Sequence, residues 1–183
     1  HVVRRVVRSA TYRQDSRTVP AAASLDADNV LLHRQNVRRL EAEAVRDALL
    51  AISGSLQPTM YGPSVPIPLD SDHEARGKPD VSGPIDGDGR RSIYIALHRN
   101  FMPPMLQAFD LPTPFATVGA RSVSNVPAQA LTLLNDPFVH LMCERWAERM
   151  PSRSADPGNL DRVYERAFSR LPRDDERQRC GEF

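Results

Sequence analysis

The chain has 183 residues, with 24 basic and 23 acidic side chains and a formal charge of +1, so no basic face for nucleic acid or anionic membrane stands out in its composition. That length buries a real core in one domain, no run reaches the roughly 18 apolar residues of a membrane helix, and two cysteines are too few for a disulfide framework or a cysteine-rich metal site. All the positive charge except Lys78 is arginine, a bias that suits bidentate carboxylate or phosphate recognition and equally suits a GC-rich genome.

In chain order, Val2, Val3, Val6, Val7 and Ala10 recur at helical spacing and predict a first helix with arginines on its outer side. After a polar stretch, Leu25 and Val30–Leu32 are expected to pack around a turn; "DADN" lacks the glycine and distal glutamate of a calcium loop and reads as a helix-start turn. From Val37 to Leu56 a helix is predicted, with Leu40, Ala44, Ala48, Leu49, Ile52 and Leu56 as its apolar stripe. Arg39, Glu43 and Arg46 fall on another face, and Gly54 ends the helix.

Six prolines and five glycines between Pro58 and Gly89 forbid a regular element. Met60, Tyr61, Val65, Ile67 and Leu69 should pack down, while residues 70–80 should be solvated. The pair Gly87 and Gly89 then turns the chain into an expected strand, Ser92–Leu97, with Ile93, Ile95 and Leu97 on one face. Its expected antiparallel partner is Phe115–Val123.

Helices return in the last third. Asn125 with Pro127, and Asp136 with Pro137, repeat a cap-and-proline start, and Phe138, Met142, Trp146 and Met150 mark the buried face of the second of these helices. A third helix carries Leu160, Val163, Tyr164, Ala167, Phe168 and Leu171, and a fourth begins at "PRDDERQRC". The predicted fold class is therefore α+β: mainly helical, with a small antiparallel sheet. A single domain over 1–183 is expected, in four parts: helical 1–57, Pro/Gly-rich loop 58–91, strand pair 92–123 and helical 124–183. The chain reads as a fragment of a longer polypeptide.

No complete catalytic motif is present. Gly87-x-Gly89-x-x-Ser92 precedes a strand instead of opening a helix, and Gly62–Pro66 lacks the second glycine of a nucleophile elbow. His140, Cys143 and Glu144 share a helix at spacings that let two of them face one metal ion, short of the three or four ligands a zinc site needs, so no metal site is assigned; a core cysteine beside a surface histidine accounts for them. The ligand-binding candidates are Arg90, Arg91, Tyr94, Arg99, Asn100, Asn125 and Gln129, whose arginines and amides suit a carboxylate, a sugar or an exposed backbone. The competing reading is structural: Arg91, Arg99 and Asn125 form one cluster at the junction of sheet and helices, with each arginine buried on carbonyls or carboxylates.

The blocks "SATYRQDSR", "RRLEAEAVRDALLAISGSL", "MYGPSV", "GKPDVSGPIDGDGRRSIYIALHRNF", "AFDLPTPFATVGARSVSNVPAQALTLLNDPFV" and "YERAFSRLP" resemble, in this order, the planctomycete C-terminal domain of unknown function. The resemblance implies a module downstream of a cytochrome c-like module in a large exported protein, hence an extracytoplasmic setting. It implies no cofactor in this fragment, haem being expected only on the upstream module. Its expected partners are the upstream domains of the same polypeptide, with polysaccharide or a cell-surface protein as further candidates, and neither nucleic acid nor membrane insertion. The implied role is a non-catalytic structural or interaction module; the alternative is an enzyme or glycan-binding domain acting on extracellular polysaccharide. The chain departs from the family's pattern at His33, where relatives often carry an aromatic residue, and in a last helix that stops at Phe183.

Overall fold

The fold is helical in the computed structural model, which describes residues 1–69, 77–150 and 157–182. By its internal packing it divides into two units, His1–Leu40 and Glu41–Phe183.

In the first unit, α1 (Val2–Arg8) and α2 (Pro20–Ala23) flank irregular chain. Val2, Val3, Val6 and Val7 are exposed, so the valine face packs on nothing. No helix starts at "DADN". Instead the Asp26 carboxylate accepts from the amides of Val30 and Leu31, while buried Asn29 donates to the Arg34 carbonyl and to Asn36 Oδ1. These polar bonds hold the turn, and Leu25, Val30, Leu31 and Leu32, expected to pack around it, are exposed.

The second unit is built on α3 (Ala42–Ser53). Its start lies five residues later than the sequence predicts, because Arg38 and Arg39 would place two cations at a positive helix end, whereas Glu43 in the first turn suits it. The end is as predicted: Gly54 adopts φ 71°, and the amides of Ser55 and Leu56 both return to the Leu50 carbonyl. The face is only partly as predicted: Leu49 and Leu56 of the expected stripe pack against the core. Ala42, Arg46, Leu50 and Ser53 are the buried row, while Leu40 and Ala44 are exposed.

Onto that row pack α4 (Pro104–Ala108) and α6 (Pro137–Glu148). The core joins Ala42 and Leu50 to Met102, Met105, Leu106, Phe109 and Leu111 around α4, and to Phe138, Val139 and Met142 of α6. Fully burying Leu50 and Leu106 contributes about 2 kcal/mol each. The α4 segment lies within the part 92–123 expected to hold the strand pair. Its prolines in fact sit at the N-cap and first-turn positions, where a missing N–H removes no helical bond.

α5 (Pro127–Asn135) begins at Pro127 as expected, but its N-cap is Val126, one residue beyond Asn125, and the Gln129 side chain reaches back to the Val126 amide at 3.4 Å. In α6, Asp136 accepts from the Phe138 amide at 2.8 Å with Pro137 at the first position, as the sequence predicts. α7 (Pro157–Phe168) and α8 (Asp174–Gly181) close the chain. None of the helices among the described residues is long and apolar enough to cross a membrane.

The predicted antiparallel sheet is overturned, and the fold class with it. Among the described residues there is no strand; three isolated bridges pair Gln57 with Arg90, Val65 with Ile95, and His98 with Phe101. Ser92–Tyr94 is a single 3-10 turn, and only Ile95 of the supposed inward face is buried, Ile93 and Leu97 being exposed. The cause is Ser92, whose amide and hydroxyl both donate to Asp47 Oδ1 at 2.7 Å, pulling the backbone onto α3 as a turn instead of a ladder. Residues 94–96 do find a partner, but it is Val65 of the proline-rich loop, in parallel. The stretch 115–123 is irregular, with Phe115 and Val123 exposed. In the loop itself Val65 and Ile67 are buried as expected, whereas Met60 and Tyr61 are exposed. The solvation expected for 70–80 lies outside the described residues for 70–76.

Candidate functional site

A buried polar constellation is built where α3 meets the glycine-rich turn. Arg46 projects from the buried row of α3 and is only 6 % exposed. Its Nη1 donates to the Arg90 carbonyl at 2.9 Å and to Ser92 Oγ at 3.3 Å, and its Nη2 to the Asp86 carbonyl at 2.6 Å. The Phe138 ring flanks the guanidinium, 5.1 Å from centroid to carbon. Three consecutive residues, Gly87, Asp88 and Gly89, take positive φ to curl these carbonyls inward. A Cβ on Gly87 would stand 2.6 Å from Arg46 Nη2, and one on Gly89 would stand 2.3 Å from the Ser55 carbonyl oxygen.

The charge on Arg46 is poorly matched. The Asp47 carboxylate lies 3.9 Å away and already accepts from Ser92 and Arg91, and Asp86 gives its carboxylate to Arg145 at 2.7 Å. Burial therefore pulls Arg46 below the ordinary arginine value, with Asp47 and Asp86 opposing the shift. Beside the guanidinium opens a pocket of about 270 Å³, whose walls come from the glycine-rich turn, α4 and the start of α6.

A second guanidinium, Arg90, holds the neighbouring loop. It donates to the carbonyls of Tyr61 at 2.6 Å and Pro63 at 3.3 Å and stacks on the Tyr94 ring at 3.9 Å. The Tyr94 hydroxyl in turn accepts from the Tyr61 amide at 2.7 Å. Tyr61, left-handed at φ 67° and 80 % exposed, rides on the outside of this clasp.

The sequence-derived candidates thus divide. Arg90 and Tyr94 come together. Arg91 sits one residue away, half-exposed, with Nε 3.4 Å from Asp47 Oδ2. Arg99 and Asn100 occupy an exposed turn. Gln129 is buried at 2 % and donates to Ser124 Oγ at 3.2 Å, on the same segment as exposed Asn125. The expected burial of Arg91 and Arg99 is not found, since both are exposed. The arginine buried among the described residues is Arg46, which the sequence reading placed with Arg39 and Glu43 on a face apart from the apolar stripe. One signal for it does exist: Arg46 keeps i, i+4 register with Ala42 and Leu50, so it interrupts an otherwise small and apolar row. Cys143, expected in the helix core, is exposed, as is His140. Among the described residues no three His, Cys, Asp or Glu side chains converge as metal ligands.

Two carboxylates do lie one helical turn apart beside Arg91: Glu43 and Asp47. Glu43 receives Arg121 in a bidentate grip at 2.6 and 2.8 Å, which holds it below its ordinary carboxylate value. Asp47 is an acceptor for Ser92 and Arg91.

A family model described as PSD1, Protein of unknown function (DUF1553), matches residues 1–183. No curated protein and no solved structure matches the chain.

Proposed function

The chain belongs to the DUF1553 family, and we propose that its fold is a non-catalytic structural or interaction module of a larger exported protein of planctomycete type that also carries a cytochrome c-like module. In this reading it works outside the cytoplasm, its nearest partners are the upstream domains of its own polypeptide, and haem belongs to the upstream module alone. The sequence blocks quoted above support the setting.

One observation carries the functional part: guanidinium groups at the glycine-rich turn and at the end of α3 hold main-chain carbonyls. Arg46 binds two and Arg90 at least two. Arg149 donates to the Gly54 carbonyl at 2.5 Å, and Arg166 to those of Ile52 and Ala51 at 2.9 and 3.1 Å. Such bonds fix irregular chain in place, which is the work of an architectural side chain. The carboxylate pair beside Arg91 points the same way. A hydrolase of glycans needs a proton donor with a raised pKa, and Glu43 is shifted in the opposite direction by Arg121.

A second reading, glycan binding at the surface, draws on exposed Tyr61, Arg91, Arg99 and Asn100, which offer an aromatic face and planar donors. One experiment separates the two. Arg91→Ala and Arg99→Ala are melted beside the parent while an oligosaccharide array is scored for binding and hydrolysis. The structural reading expects no saturable glycan binding and no cleavage by the parent. Glycan binding that disappears in a variant of parental melting temperature would replace it with a receptor.

A further inference from the structure

The pocket beside Arg46 has features that a purely architectural arginine does not require. Its walls are apolar, with Ile85, Ile95, Pro104, Met105, Leu106 and Phe138 among them. At about 270 Å³ it falls just below the roughly 300–1,000 Å³ of drug-sized ligand sites, which limits an occupant to a small molecule. Two charged residues reach it, Arg46 and Asp136. Asp136 is committed: its carboxylate caps α6 through the Phe138 amide, where the positive helix end compensates it.

Arg46 is not fully committed. A guanidinium carries five N–H donors. Three bonds use two of those on Nη1 and one on Nη2, leaving an Nη2 donor and the Nε donor without an acceptor among the described residues. Gly87 packs directly against that same Nη2, where a Cβ would stand only 2.6 Å from it, and Gly87 itself lines the pocket. A buried cation is ordinarily met by a close carboxylate, yet the nearest here is 3.9 Å away and shared with other donors. An apolar pocket with an undercompensated guanidinium in its wall is complementary to one class of ligand.

We propose that this pocket binds a small organic monocarboxylate, the carboxylate accepting from the unused donors of Arg46 and the apolar body lying against Ile85, Met105 and Phe138. Such a ligand supplies the charge partner that Arg46 lacks and removes apolar wall from water in one step. A neutral analogue of the same shape gains only the second contribution. The site is distinct from the exposed Arg91 and Arg99 surface, and a ligand here is compatible with a non-catalytic module.

Titration calorimetry of the 183-residue chain with hexanoate and benzoate, against hexanamide and benzamide, tests the proposal. A saturable carboxylate signal is expected, with the amides at least tenfold weaker. Ile85→Trp, at a rim position 48 % exposed, should abolish the signal while melting with the parent, and Arg46→Met should erase the preference for carboxylate over amide. Should Arg46→Met fail to fold, the amide comparison and Ile85→Trp decide between them. No binding by either carboxylate, equal binding of acid and amide, or undiminished binding by Ile85→Trp would each overturn the proposal.

Discussion

The two units handle the same kind of sequence in opposite ways. In His1–Leu40 an orderly helical row of valines is left facing water, and order comes from polar groups bonding to nearby backbone around Asn29 and Asp26. In Glu41–Phe183 a charged residue in the middle of a helix becomes part of the core, and irregular chain is arranged around it. The contrast teaches that periodicity marks which residues share a face but not whether that face acquires a neighbour. What decides is the supply of complementary groups: a glycine-rich turn that bares its carbonyls can recruit an arginine inward more strongly than a half-apolar stripe can hold it out.

The sharpest way to break this comparison is to remove Arg46. Arg46→Ala removes the side-chain donor from the Arg90 carbonyl and leaves the Asp86 carbonyl with the Gly89 amide alone, and should lower the unfolding free energy by about 3 kcal/mol in urea denaturation. A loss under about 1 kcal/mol would return Arg46 to the class of surface residues. Next comes the turn that receives it. Gly89→Ala forces a side chain into φ 68° and against the Ser55 carbonyl, and should lose about 2 kcal/mol in the same assay.

Removing the α6 cap with Asp136→Ala should cost about 1 kcal/mol, read as a lower melting temperature with unchanged cooperativity. The Glu43–Arg121 pair sharpens the picture through pH. Because Arg121 depresses Glu43 in the folded state, this stabilisation is present above the unfolded carboxylate value and fades as pH falls through the folded one. Glu43→Gln should therefore flatten the acid limb of a melting-temperature profile, by less than about 1 kcal/mol for so exposed a partner as Arg121. The smallest effect belongs to the first unit: Val3→Ser and Val6→Ser should each stay within about 0.5 kcal/mol of the parent. A loss above about 2 kcal/mol would mean that the valine face is covered in solution.

Much of the helical frame is legible in the sequence, because it is written in local chemistry. Gly54 stops α3, Pro127 and Asp136-Pro137 start α5 and α6, and the prolines keep 58–69 and 77–86 irregular. The errors arise where a distant group outweighs a local tendency. Ile93, Ile95 and Leu97 alternate like a strand, but the Asp47 carboxylate 45 residues away captures Ser92 and bends the backbone first. No expectation covered α4: Pro103 and Pro104 occupy its N-cap and first positions, where a missing N–H is neutral, and it carries the buried Met105 with buried Met102 just before it. At the candidate site, Arg90 and Tyr94 were recognisable from their setting beside the glycines. Arg46 was not, since its acceptors at Asp86 and Arg90 lie 40 and 44 residues away.

The two arginines on the end of α3 carry a consequence for how the chain is made. Arg149 and Arg166 reach carbonyls 95 to 115 residues earlier in sequence, so the terminal turn of α3 stays without these partners until the last third of the polypeptide has emerged. At ribosomal rates of about 5–20 residues per second, that is a wait of roughly 5 to 20 seconds. During it the exposed Leu50 and Ser53 row also lacks α6, whose Met142 sulfur lies 3.2 Å from the Ser53 hydroxyl in the finished fold. The first secure helix of this unit is therefore among the last to be completed, and a chain halted before Arg149 would hold a half-built α3 open to proteases and to chaperones.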